Sequence, residues 1–172
     1  MSYGSPKWAG WVLDEEESLP LFKAAYDAGI TTWDTADMYS NGYSEVLVGK
    51  AIKKYGIPRE KLTILTKCWS AVDESDLGHR VVNPGPNEWV NQRGLSRKHI
   101  FDAVENSVRR LGTYIDVLQI HRLDKEVEAE EIMKALHDVV ETGKVRYLGK
   151  SSPGQRLPPA PVQYVWGLQS NH

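Results

Sequence analysis

Apolar and polar positions along the chain change period several times, and each change marks an element. "MSYG" at residues 1–4 reads as the tail of a strand. "WVLDEEESLPLFKAAYDAG" carries a first helix: Asp14 can cap it, Glu17 stands three residues on as the reciprocal partner, and Gly29 stops it. Pro20 falls early enough in that helix to be tolerated, or kinks its first turns. "ITTWD" is a short β-branched and aromatic run, hence a strand, buried from Ile30 to Trp33. "SEVLVGKAIKKYG" is a second helix with Val46, Leu47, Ala51 and Ile52 on one apolar stripe.

The same alternation then recurs. "LTILTK" is a strand, and a long segment at residues 68–95 follows it. Ser96 caps the helix "RKHIFDAVENSVRRLG", "YIDVLQIH" is a strand, "EAEEIMKALHDVVETG" is a helix and "VRYLG" a further strand. Five strands alternating with four helices predict an α/β fold with parallel strands, either a doubly wound sheet or a (β/α) barrel. The pattern breaks at Pro153. The last stretch has four prolines, one charged side chain (Arg156) and no helical period. The organisation expected is therefore residues 1–152 as the folded unit and residues 153–172 as a Pro-rich divergent tail, with an irregular linker at 153–160.

Composition narrows the class of function. A net charge of −2 gives no basic footprint for nucleic acid or a membrane surface, and the apolar runs are strand-sized. The first residues lack a secretory pattern, and a single cysteine, Cys68, fits a reducing compartment, so a cytoplasmic location is expected. No Cys/His grouping has metal-ligand spacing, so no metal is expected. Cys68 follows a lysine but reads as a buried, inert thiol. His99 and His137 lie inside helices and read as structural or surface residues. Trp8, Trp11, Trp69 and Trp89 all fall in segments without a clear period, which points to a ligand surface.

The chemistry sits at the strand ends. Asp34 follows "ITTW", Lys67 follows "LTILT", and His121 follows "VLQI". In parallel α/β folds those ends share one face, where sites are built. Singly, an aspartate there is usually a turn former, a lysine solvated and a histidine structural. Together with Tyr39, they bring an acid, a base, a phenol and an imidazole to corresponding positions of successive units. A phenol, with an ordinary pKa of about 10, donates its proton more readily beside an ammonium. That ammonium needs a carboxylate to stay charged, and an imidazole can hold a carbonyl oxygen by a hydrogen bond. The set suits protonation of a carbonyl whose carbon receives a hydride from a nicotinamide, since no side chain donates hydride.

At these residues the chain resembles the aldo-keto reductase family over roughly residues 1–152. "GITTWDTADMYSNGYSEVLVGKAI", "ILTKCW", "GLSRKHIFDAVENSVRRLGTYIDVLQIHRLD" and "GKVRYLGKSS" stand in the family's order. The local style looks most like fungal members that reduce aldehydes or ketones. The resemblance implies Asp34, Tyr39, Lys67 and His121 as the catalytic tetrad, and Asp34, Ser151 and Ser152 as contacts to NADPH or NADP+. It implies a small-molecule carbonyl substrate whose pocket is shaped by the segment after Lys67; Trp8, Trp69 and Trp89 are the candidate substrate contacts. The family fold is a (β/α)8 TIM barrel of about 250 residues, so the expectation here is its N-terminal part, about half, with doubtful activity and self-association through open barrel edges. Lys150 replaces a small residue between Gly149 and Ser151 and is expected to point toward the outer helices. Two alternatives remain: an inactive remnant, and a nucleotide-sensing subunit like the potassium-channel beta subunits. The latter tend to lack a histidine at the place of His121.

Overall fold

The computed structural model describes residues 1–79, 81 and 88–151. Helix α1 (Glu15–Asp27) begins at a reciprocal cap: Asp14 Oδ1 accepts from the Glu17 N–H at 3.1 Å, and Glu17 Oε2 accepts from the Asp14 N–H at 3.4 Å. Pro20 lies inside this helix, and Gly29, at φ 83°, turns the chain out of it. The remaining elements are β1 (Thr32–Asp34), α2 (Tyr43–Tyr55), a 3-10 turn (Arg59–Lys61), β2 (Thr63–Cys68), α3 (Arg97–Leu111), β3 (Ile115–Ile120), α4 (Ala129–Glu141) and β4 (Val145–Lys150). Ser96 caps α3, its hydroxyl accepting from the His99 N–H.

The four strands form one parallel sheet in the order β1-β2-β3-β4. Register sorts the side chains into two faces. Trp33 stands opposite Ile64, Thr66 opposite Leu118, and Leu118 opposite Leu148; this face meets the helices. Its residues join Leu47, Ile100, Val104 and Leu136 in the core. The other face carries Asp34 opposite Leu65, the row Leu65–Val117–Tyr147, and the row Lys67–Gln119–Gly149. Lys150 stands opposite Ile120, on the helix-side row, and is half-buried.

Several expectations change. Among the described residues there are four strands, not five: residues 1–4 make only an isolated bridge, Tyr3 to Leu13, because the chain turns back at Ser5, whose carbonyl accepts from the Trp8 N–H. The strand before Asp34 starts at Thr32, and Ile30 is 57% exposed; its N–H is used by the Ala25 carbonyl in closing α1, which keeps it out of the ladder. On α2, Val48 is buried and Val46 only half-buried. The stripe is rotated because Glu45, not an apolar residue, fills the innermost place near the start of the helix. Ser152 and the tail 153–172 lie outside the described residues.

Candidate active site

Parallel strands deliver their last residues to one edge of the sheet. Asp34 ends β1, Lys67 is next to last in β2, and His121 follows β3 directly. The ladder runs on past the strands: Asp37 N–H donates to Lys67 O at 3.1 Å, His121 N–H to Cys68 O at 3.1 Å, and Ser151 N–H to Ile120 O at 3.0 Å. These three bonds fix the backbones of all four strand ends side by side.

Lys67 Nζ lies 2.5 Å from Asp34 Oδ1 and 2.8 Å from the Thr35 carbonyl oxygen. The lysine side chain is 6% exposed and the aspartate 52%, so a buried ammonium is held by a carboxylate that still faces outward. Asp34 Oδ2 accepts a further hydrogen bond from Gln119 Nε2 at 3.0 Å. The Tyr39 ring completes the group. Its centroid is 5.1 Å from Lys67 Nζ and 5.9 Å from the His121 ring centroid, with the two rings at 85°. Burial first, then the charges of Lys67 and Arg122, push the His121 pKa down to about 4, against the opposing pull of Asp34. The imidazole is therefore neutral at pH 7. Its Nδ1 is buried without a hydrogen-bond partner among the described residues.

Tyr39 is placed by a turn that its own sequence disfavours. Ser40 and Asn41 both have φ 50°, in the left-handed region, ahead of Gly42 at 87°. Distant groups hold it. Ser5 N–H donates to Ser40 Oγ at 3.0 Å. Asn41 Nδ2 donates to the carbonyl oxygens of Asp76 and His79 at 2.7 and 2.5 Å. A Cβ on Gly42 would meet Arg110 Cδ at 2.5 Å, so a side chain there has no room. Beneath the turn, Glu45 is fully buried and pairs with Arg110 at 2.6 Å, while accepting from Thr66 Oγ1 at 2.5 Å. This pair links α2, α3 and β2. Next to it Asp37 is 1% exposed; burial and then the Glu45 charge raise its pKa well above the usual carboxylate range.

The structure thus brings together Asp34, Tyr39, Lys67 and His121, with Ser151 half-buried at the adjoining strand end. The tryptophans separate. Trp8 is 4% exposed and packs edge-on against Trp11, which is 54% exposed, so Trp8 presents almost no surface to a ligand. Trp69 is half-buried under the Arg122 guanidinium, 5.6 Å from its ring. Trp89 is half-buried at φ 60°. Cys68 faces the helices, where burial drives its thiol pKa far up and leaves it inert. His99 is buried with Nδ1 2.7 Å from the Gly94 carbonyl oxygen, a structural contact. Gln119 went unread in the sequence, although strand alternation from His121 puts it on the same face. Glu45 and Arg110 lie 65 positions apart, and nothing local pairs them.

The model of the Aldo/keto reductase family matches residues 1–156. The chain belongs to the aldo-keto reductase family. Versiconal hemiacetal acetate reductase of Aspergillus parasiticus is 62% identical over 157 residues, covering 88% of this chain and 45% of that protein. A putative aryl-alcohol dehydrogenase of Schizosaccharomyces pombe is 60% identical over 162 residues, covering 88% and 46%. A thermostable aldo-keto reductase solved with the inhibitor epalrestat superposes with a TM-score of 0.65 at 34% identity, covering 83% of this chain and 44% of that one. This aldo-keto reductase chain spans about half the length of the curated relatives it matches. Its parallel sheet with outer helices is part of a TIM barrel of that kind.

Proposed function

We propose that this chain carries the proton-transfer side of a site that reduces an aldehyde or ketone to an alcohol with NADPH. The observation that supports it is the buried Lys67 ammonium, paired with Asp34 and lying against the Tyr39 ring, with a neutral imidazole set at 85° to that ring. Tyr39 donates its phenolic proton to the carbonyl oxygen. Lys67 stabilises the negative charge left on the phenol oxygen, and Asp34 keeps Lys67 charged inside the protein. His121, being neutral, donates a ring N–H to the same carbonyl oxygen and orients it.

The residues fit a nicotinamide nucleotide. Asp34 keeps half its surface open despite two hydrogen-bonded partners, and Ser151 stands beside the His121 strand end. Asp34 and Ser151 would hold the cofactor. Bound there, NADPH supplies the hydride that no side chain can.

The test begins with NADPH binding to the 172-residue chain, followed by nicotinamide fluorescence, and then reduction of an aromatic aldehyde. Tyr39→Phe should lower turnover by about a hundredfold or more and leave nucleotide affinity unchanged. Retained turnover would remove Tyr39 from the role of acid. A chain that holds no nucleotide at all would limit the activity to longer relatives.

A further inference from the structure

Resting on the reading of Tyr39 as the proton donor, we propose that Asn41 is a positioning residue for it. Through its carboxamide, the loop at residues 73–79 and the turn that carries Tyr39 form one unit.

The geometry is specific. Asn41 is 3% exposed, and its amide nitrogen reaches two backbone carbonyl oxygens 35 and 38 positions away. Both partners can only accept, so only the NH2 end of the carboxamide fits them. The loop it grips is itself braced. Asp76 Oδ1 accepts from the Gly78 N–H at 2.8 Å, and the Asp76 carbonyl oxygen accepts from the His79 N–H at 3.2 Å as well as from Asn41. Asp73 Oδ1 accepts from the Ser75 N–H and hydroxyl. Glu74 pairs with Arg109 and Arg110, which roots the loop on α3. On the other side, Asn41 N–H donates to Met38 O, and Ser44 N–H donates to Tyr39 O. A shift of the loop is thereby passed through Asn41 into the backbone on both sides of Tyr39. Its ring direction follows, since the backbone leaves few staggered positions for χ1.

Two roles for Asn41 must be separated. Asparagine also tolerates the left-handed backbone it adopts here. Asn41→Gly keeps that backbone freely available and removes only the clamp. The readout is the ring-current shift that Tyr39 imposes on the His121 ring protons, the two ring centroids lying 5.9 Å apart at 85°. It is measured by NMR on the labelled chain at pH 7.5, with Tyr39→Leu defining zero. Amide exchange of Asp76, Gly78 and His79 is followed in parallel. Asn41→Gly should speed that exchange about tenfold or more. It should also move the His121 signals roughly halfway to the Tyr39→Leu position, as expected for a displaced ring. Asp76→Ala, at an exposed site, removes the Gly78 brace and should move the same signals in the same direction by less. The proposal is overturned if exchange rises while the His121 signals stay in place, since Asn41 would then anchor the loop alone. It is equally overturned if Asn41→Gly changes neither readout. Should Asn41→Gly not fold, Asp76→Ala decides by the same His121 signals. No turnover enters the measurement, so its failure leaves the assignment of Tyr39 as acid standing, and the reverse also holds.

Discussion

His121 carries the clearest electrostatic signature of any residue in the site. Its pKa falls from an unfolded value near 6.5 to about 4 in the folded chain, chiefly by burial. The folded state therefore binds its proton less readily than the unfolded one. The stability that follows is fully present above pH 6.5 and is lost as pH falls through the window down to about 4. The ring is only half-buried, so solvent screening limits the effect to about 1–2 kcal/mol. Urea unfolding of the native chain and of His121→Gln at pH 7.5, 5.5 and 4.0 reads this directly. The native chain should lose stability relative to the variant between the first and last points. A constant difference would mean the imidazole is not desolvated as described.

At the scale of elements, α2 and α3 meet through backbone. A Cβ at Gly49 would lie 2.5 Å from the Leu111 carbonyl oxygen and 3.0 Å from that of Arg110. Helix propensity alone predicts that Gly49→Ala stabilises α2 by about 1 kcal/mol. The clash is with main chain, which cannot swing away, so overpacking of about 1–3 kcal/mol should win and lower the thermal midpoint. A raised midpoint would show that the helices separate at little cost. The same scale decides how much could be read from sequence. The caps at Asp14 and Ser96 were legible because donor and acceptor lie three residues apart. The strand-end positions of Asp34, Lys67 and His121 were legible because period-2 alternation and turn residues are local signals. The rotation of the α2 stripe toward Val48 was not, since it depends on Glu45 meeting Arg110 across the fold. Nor was the grip of Asn41 on the loop at 73–79, where backbone carbonyls, silent in any sequence, are the partners.

The whole molecule presents a sheet with two lateral strands. Among the described residues, β1 pairs only with β2 and β4 only with β3, and Tyr147 on β4 is 63% exposed on the face away from the helices. Unpaired strand edges beside apolar surface recruit further strands. The chain is accordingly expected to sediment above its 19.4 kDa monomer mass, increasingly so with concentration. Tyr147→Lys should shift it toward the monomer. A monomer at every concentration would mean that both edges are covered.

The turn at Ser40 and Asn41 bears on whether such a site can be moved. Of the two successive non-glycine residues in the left-handed region, Ser40 carries a cost of about 1–2 kcal/mol and Asn41 a smaller one, and the side-chain bonds that hold them are not local. The offsetting contacts come from Ser5 and from the loop at 73–79. The stretch "DTADMYSNG" therefore contains the phenol but not its address. Grafted onto another strand end, it would relax to an ordinary turn and carry Tyr39 elsewhere. Mutations that tune the chemistry of this site can accordingly arise far outside the motif.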